Sequence, residues 1–456
     1  MNKLFVSDHV KNKNKIKIGG HMKRKFLLLV LFMIPLLAFN VQVKKRVLSN
    51  GLEVLLVPNR NTPVMSFQVW VKTGSRNERP GITGISHMLE HMMFKGSRNY
   101  GPEEHARIVK ENGGMVNAFT SEDRTVFFDN IAPTKIDLIA RLESDRFMYA
   151  RIDPEQFKSE RMVVYEERLM SVDNSPFGKA FEQLQAMTFI AHPYHWSVIG
   201  WPSDILAYTA EKVKKYYKER YNPSNVFILI SGNFDEQKTM EILEKYFSSW
   251  KKGPKVPPVV TKEPEQKGPR YAKIYMKVNV PFLFAAYRIP PYKDKDIPAI
   301  EIAAKILGEG RSSRIYKELV QEKGIALQAG GGAYTLMDGG YFFSYVLINL
   351  GKSLDEAGKE LFAMIENFKE AKIEDWEIEK ARNQIIADMT RSLERAFYVG
   401  LQVGTSYQYT GDPTFFVKRL EAYKKVTKED VKRVAAKYFN FKKRNVVYIL
   451  PEGGKK

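Results

Sequence analysis

His87-Met88-Leu89-Glu90-His91 places two imidazoles four residues apart, with a carboxylate beside the second. On an α-helix residues i and i+4 share a face, so both rings can point at one metal ion. Glu90 then stands where a carboxylate can take a proton from a water held at that ion. This is the helix-borne zinc-hydrolase arrangement in the order H-x-x-E-H, the reverse of the commoner H-E-x-x-H. The plainer alternative is a pair of solvent-facing or capping histidines on an amphipathic helix. The chain has only seven histidines in 456 residues, and two of them stand here. It has no cysteine, so disulfides and thiolate metal sites are excluded and a metal must be held by His, Asp or Glu. Such an N/O donor set suits zinc first, and also manganese or cobalt.

A catalytic zinc takes three protein ligands and keeps a fourth position for water. Glu160, Glu166 and Glu167 offer a third donor, around the apolar run Met162-Val163-Val164-Tyr165. Glu160 and Glu167 are seven residues apart and share a face with Val164, whereas Glu166 points about a third of a turn away. An exposed helix glutamate is the usual state of any one of these, and local chemistry does not choose among them.

The elements that must position these groups follow from pattern. Residues 43–58 alternate apolar and polar around Ser49-Asn50-Gly51, a β-hairpin, and 65–72 alternate again as a strand. A glycine-rich loop leads into the histidine helix. A helix over 102–112 is stopped by Gly113-Gly114, and 115–130 returns to strand. Asp153-Pro154 is an N-cap with proline at the first helical position, opening a helix to about Ser171. Helix 210–220, strand 225–231 and helix 235–250 complete this half. The second half repeats the order with strands at 271–288, helices at 295–307 and 313–322, and strands at 326–350. Helices at 353–369, 373–410 and 427–438 follow, then a strand at 444–450.

The length calls for more than one ordinary domain, and two halves of similar element order suggest an internal duplication. The expected architecture is α+β: two similar halves, each a mostly antiparallel sheet with helices packed on one face, joined by a linker. Residues 43–250 form the metal-binding half. Residues 251–269, rich in Lys, Pro and Gly without periodicity, form the linker, and 270–452 form a homologous half without the metal motif.

The net charge is +20, of which residues 1–25 supply +7. The remaining basic residues are spread along helices, often beside glutamates, with no aromatic–basic ladder, so a solvated surface is expected and no nucleic-acid partner. Lys23-Arg24-Lys25 followed by Phe26–Phe39 has the positive and apolar regions of a secretory signal. The run is short for a transmembrane helix and lacks a clean small-x-small cleavage site. Met22 is the natural start, and residues 1–42 read as a basic extension plus a signal or anchor. The expected location is the cell envelope, either periplasmic or tethered through 23–39.

With these motifs in hand, the chain resembles the pitrilysin/insulysin/mitochondrial processing peptidase family, the inverzincins. The resemblance rests on His87–His91, on Glu167 lying 76 residues after His91 in Ser-Glu-Arg-Met-Val-Val-Tyr-Glu-Glu, and on Gly113-Gly114-Met115-Val116-Asn117-Ala118-Phe119-Thr120. His192-Pro193-Tyr194, Tyr221–Asn225 and Gly310–Arg314 support it, and it covers nearly all of 43–452. The resemblance implies a clam-shell chamber and one Zn2+ per chain bound by His87, His91 and Glu167. It further implies Glu90 as general base, Glu160 as a supporting acid behind the ligands, and Asn117, Ala118, Phe119 and Thr120 as an edge strand that pairs with an extended substrate.

One departure matters. The family's second half carries an arginine and a tyrosine seven residues apart, in a segment like L-R-E-E-K-G-L-A-Y, that bind substrate and stabilise the oxyanion. Here those positions are Val320 and Leu327, whose side chains donate no hydrogen bond. The expectation is a zinc metalloendopeptidase subunit acting on peptides or unfolded polypeptides, completed by a homologous partner that supplies the Arg/Tyr pair, and otherwise a homodimer. The alternative is a catalytically silent zinc-containing structural or peptide-binding subunit. No role is evident for His195.

Overall fold

The computed structural model describes residues 41–453. The expectations placed on residues 1–40, the export segment among them, lie outside the described residues. Among the described residues no helix is long and apolar enough to cross a membrane.

The first half runs β1 (Lys44–Val47), β2 (Glu53–Pro58), β3 (Met65–Val71), α1 (Ile85–Met92), α2 (Glu104–Glu111), β4 (Met115–Thr120) and β5 (Thr125–Ile131). Five helices follow: α3 (Ile136–Tyr149), α4 (Pro154–Arg168), α5 (Pro176–Thr188), α6 (Pro202–Ala207) and α7 (Ala210–Arg220). β6 (Val226–Gly232) and α8 (Glu236–Phe247) close it. Residues 251–269 contain no helix or strand. The second half runs β7 (Arg270–Met276), β8 (Phe282–Ile289), α9 (Ile297–Leu307), α10 (Arg314–Tyr316), β9 (Ala326–Thr335) and β10 (Gly340–Ile348). Then come α11 (Leu354–Glu366), α12 (Asp375–Ser392), α13 (Ala396–Thr410), α14 (Phe415–Lys425), α15 (Lys428–Tyr438) and β11 (Arg444–Pro451).

Strand order is β1-β2-β6-β3-β5-β4 in the first sheet and β7-β11-β8-β10-β9 in the second. Apart from the added β1 and α8, the two halves match element for element. Both sheets carry their one parallel pair at the same place, β2 with β6 and β7 with β11, and every other pair is antiparallel. The duplication suggested by element order is therefore visible in topology. α9, the counterpart of the histidine helix, reads Ile-Pro-Ala-Ile-Glu-Ile-Ala-Ala-Lys-Ile-Leu and offers no histidine.

Helices do not cover only one face of each sheet, and the linker is not the only tie between halves. β3 alternates in sequence yet is buried at all seven positions, Ser66, Gln68 and Trp70 included. The polar-looking face of β3 is covered by α13 of the second half. Gln68 Nε2 donates to Phe397 O at 2.9 Å, and Ser231 Oγ on β6 donates to Ala396 O at 2.7 Å. Reciprocally, α5 lies on the second sheet, where Phe177 stacks on Phe282 and Phe181 meets Phe284, each with centroids 4.7 Å apart.

The single helix expected over 373–410 is two, α12 and α13, with Arg395 in extended conformation between them. No proline or glycine interrupts residues 392–396. The break lets α12 stay with its own half while α13 crosses to the other sheet. Helices α3, α5, α6 and α14 are additional to those expected from pattern.

Candidate metal centre and its surroundings

Apolar Ile85, Met88, Leu89 and Met92 recur at helical spacing and bury one side of α1 in the core, which turns His87 and His91 away from it. The start of this helix is locked in two ways. The Glu78 carboxylate accepts the N–H groups of Gly84 at 2.7 Å and Ser86 at 2.8 Å, satisfying donors that an α-helix leaves free at its first turn. Gly84 has φ +85°, and a Cβ there would stand 2.2 Å from Ile199 O, so only glycine lets the two backbones meet. Burial pushes the Glu78 carboxyl up to about 8, against the pull of those two amides.

α4 supplies the opposing wall. The Asp153 carboxylate caps it by accepting the N–H groups of Glu155 and Gln156. Val164 and Arg168 are buried beneath it. The Arg168 guanidinium donates to Glu182 Oε2 at 2.8 Å and to Gly200 O at 2.7 Å, which fixes the end of the helix next to Glu167.

His87, His91 and Glu167 converge. Nε2 of His87 lies 3.8 Å from Oε1 of Glu167, and Nε2 of His91 lies 3.4 Å from Oε2. One donor atom from each residue falls within 4.8 Å of the other two. Bonds of about 2.0–2.1 Å in a tetrahedron set zinc donors roughly 3.3 Å apart, so small side-chain movements would close this set on an ion. The chemistry fits as well: two imidazoles and a carboxylate, without thiolate, are a catalytic-type zinc donor set. Glu166 does not join it; it lines the exposed apolar stripe formed by Met162, Val163 and Met170.

Glu160 sits behind His91. Its Oε1 is 2.9 Å from His91 Nδ1, and its Oε2 is 2.9 Å from Lys95 Nζ. Glu160 is pushed up by burial, but its bonds to His91 and Lys95 prevail and hold it below the ordinary carboxylate value. Burial disfavours the charged form of both histidines. For His87, with the His91 charge adding to it, the result is about 4. For His91 the bonds to Glu160 and Glu167 outweigh burial and hold it up at about 9. The rings differ in placement: His91 has a carboxylate at each nitrogen, whereas His87 faces Glu167 alone.

Glu90 is nearly buried on the same helix, and its Oε2 accepts the Thr120 hydroxyl at 2.5 Å. Burial raises its carboxyl, with Thr120 acting in the opposite direction. Thr120 ends β4, the edge strand of the first sheet, which among the described residues pairs with β5 alone. Asn117 is exposed on that strand, and Ala118 and Phe119 are half-buried. Thr120 thus touches the expected base, a contact that the resemblance did not imply. No local pattern announces a hydroxyl–carboxylate bond thirty residues apart in sequence.

Val320 lies in the wide helical turn after α10, and Leu327 is an exposed residue of β9. His195 finds its account here: Nδ1 is 2.7 Å from Phe189 O, tying a loop to the end of α5. A second cluster, His105, Asp129 and Glu143, is wholly buried with Arg146 bonded to Glu143. Burial raises both carboxyls, Glu143 to about 8, and lowers His105 to about 3. A buried guanidinium already occupies the carboxylate that a dication would need, so this is a core charge network.

Residues 53–200 match the family model described as insulinase (peptidase family M16), and 207–385 match that of the peptidase M16 inactive domain. The chain is similar to zinc protease PqqE of Helicobacter pylori, with 33% identity over 408 residues, covering 89% of this chain and 92% of that one. It is 25% identical to the mitochondrial-processing peptidase subunit beta of Lentinula edodes, over 86% of each. Among solved structures, a protease from Helicobacter pylori superposes with TM-score 0.86 at 33% identity, covering 90% of this chain and 99% of that one. A peptidase M16 inactive domain structure from Pseudomonas fluorescens shares the fold, with TM-score 0.83 at 17% identity and coverage of 91% and 99%.

Proposed function

Because this chain belongs to peptidase family M16, the insulinase family, we propose that it is the zinc-binding subunit of a metalloendopeptidase acting on peptides or unfolded polypeptides. The observation that carries the reading is the convergence of His87, His91 and Glu167, with the Glu90 carboxylate on the same helix.

Zinc held there supplies Lewis acidity, polarising a scissile carbonyl and lowering the pKa of water to about 7. The chain's own residues do the rest. Glu90 takes the proton of the attacking water and delivers it to the amine nitrogen that leaves. Burial raises its carboxyl, the direction that favours its taking up the proton it must then pass on. Thr120 holds Glu90 in one orientation. Glu160 fixes the His91 ring by accepting from Nδ1, which leaves Nε2 as the ligand atom. The free edge of β4 offers backbone N–H and C=O groups to an extended substrate, with Asn117, Ala118, Phe119 and Thr120 alongside it.

Val320 and Leu327 supply no oxyanion donor. This supports a division of labour in which a homologous subunit brings the Arg/Tyr pair to the chamber. It equally favours the rival reading, a silent subunit, when this chain stands alone.

Glu90→Gln is the decisive variant. It keeps the shape and the Thr120 contact but cannot accept the proton. We expect zinc content equal to wild type and cleavage of an unfolded protein lowered by at least about 10²-fold. Undiminished cleavage would remove Glu90 from the reaction.

A further inference from the structure

The turn joining β4 to β5 (residues 121–124) and the turn joining β9 to β10 (336–339) are counterparts in the duplicated order, and they meet. Asp123, in the first turn, is almost fully buried. Its Oδ1 accepts the Tyr194 hydroxyl at 2.6 Å. Its Oδ2 accepts the Tyr409 hydroxyl at 2.6 Å and the Met337 N–H at 3.1 Å. Arg76 Nη1 stands 3.5 Å from Asp123 Oδ1 and is paired with Asp338, the residue at the matching position of the other turn. Beside it, Glu122 accepts the Tyr334 hydroxyl at 2.8 Å. Tyr334, Met337, Asp338 and Tyr409 all belong to the second half.

So much bonding at a hairpin tip exceeds what closing a short turn requires. Its consequence lies three residues away. Thr120 is the last residue of β4, facing Thr125 across the hairpin, and its hydroxyl is bonded to Glu90.

We propose that Asp123 is a positioning residue for the peptidase reaction. By clamping the tip of the β4–β5 hairpin to the second half, it fixes Thr120 and through it the orientation of the Glu90 carboxylate. This rests on the peptidase reading above. Asparagine at 123 keeps one acceptor oxygen but turns an amide toward donors that then lack a partner, which loosens the tip. A merely structural Asp123 would cost folded protein; a positioning one costs turnover in protein that is fully folded and zinc-loaded.

The test is a cycle of Asp123→Asn, Thr120→Val and the double variant in the full chain, together with amide exchange of residues 115–120 followed by mass spectrometry. We expect Asp123→Asn to keep wild-type zinc content, to exchange β4 amides about tenfold faster, and to lower kcat about tenfold with KM changed less than about twofold. In the Thr120→Val background Asp123→Asn should add no further loss. Exchange of β4 at the wild-type rate, or losses that multiply in the double variant, overturns the proposal. If Asp123→Asn does not fold, Tyr409→Phe removes a single donor and is read in the same way. If wild type cleaves nothing even with a homologue carrying the Arg/Tyr pair present in the assay, the peptidase reading fails, and the β4 exchange rate still decides whether Asp123 holds the strand.

Discussion

His91 is gripped from two sides, by Glu160 at Nδ1 and by Glu167 near Nε2. In this grip Glu160 keeps the hydrogen on Nδ1, so Nε2 is the atom that bonds zinc once its own proton is lost. Replacing Glu160 by Gln removes the negative charge behind the ring and keeps the bulk. We predict zinc affinity lowered by roughly 10–100-fold, read by competition with a chelator; an unchanged affinity would mean the ring needs no such partner. His87, Glu90 and His91 are legible in sequence because helical geometry alone puts the two rings on one face. Glu160 and Glu167 are legible only as two of three glutamates, since spacing along α4 cannot say which of them α1 will meet. Glu78 leaves no trace, and Thr120 is legible only within the edge-strand motif, because its bond to Glu90 forms only when β4 folds against α1.

At the scale of elements, the exchange of α5 and α13 between sheets is the feature that pattern reading misses. Alternation in β3 correctly marks a strand, but it implies one wet face, and that face is covered by a helix from more than three hundred residues away. Gly404 on α13 shows how close the fit is: a Cβ there would stand 2.2 Å from the Trp70 ring. Gly404→Ala must push helix and sheet apart, so we predict a loss of about 1–3 kcal/mol, measured as a lowered midpoint in denaturant. A variant as stable as wild type would contradict the tight seating of α13. The split of 373–410 into α12 and α13 has the same cause. Local helix propensity continues through residues 393–395, and the need to cross to the other sheet interrupts it.

On the scale of the whole molecule, two halves of one topology have diverged in chemistry. The first carries the three metal donors, and in the second the helix equivalent to α1 offers no histidine. The repeat was readable as element order, because strand and helix patterns survive when side chains drift. The reciprocal covering of the sheets was not, since it is set by pairing across the halves. The absence of donors at Val320 and Leu327 bears on assembly. We predict that a homologue of similar length carrying the Arg/Tyr pair raises kcat/KM on an unfolded protein by about 10²–10³-fold over this chain alone, the range expected for restored oxyanion donors. A full rate from the isolated chain would contradict that division. The central claim is convergence of three side chains on one ion, and its most direct measurement is zinc per chain after dialysis, for wild type and for Glu167→Gln. We predict about one zinc retained by wild type and most of it lost by the variant. Equal retention in both, or none in wild type, would contradict it.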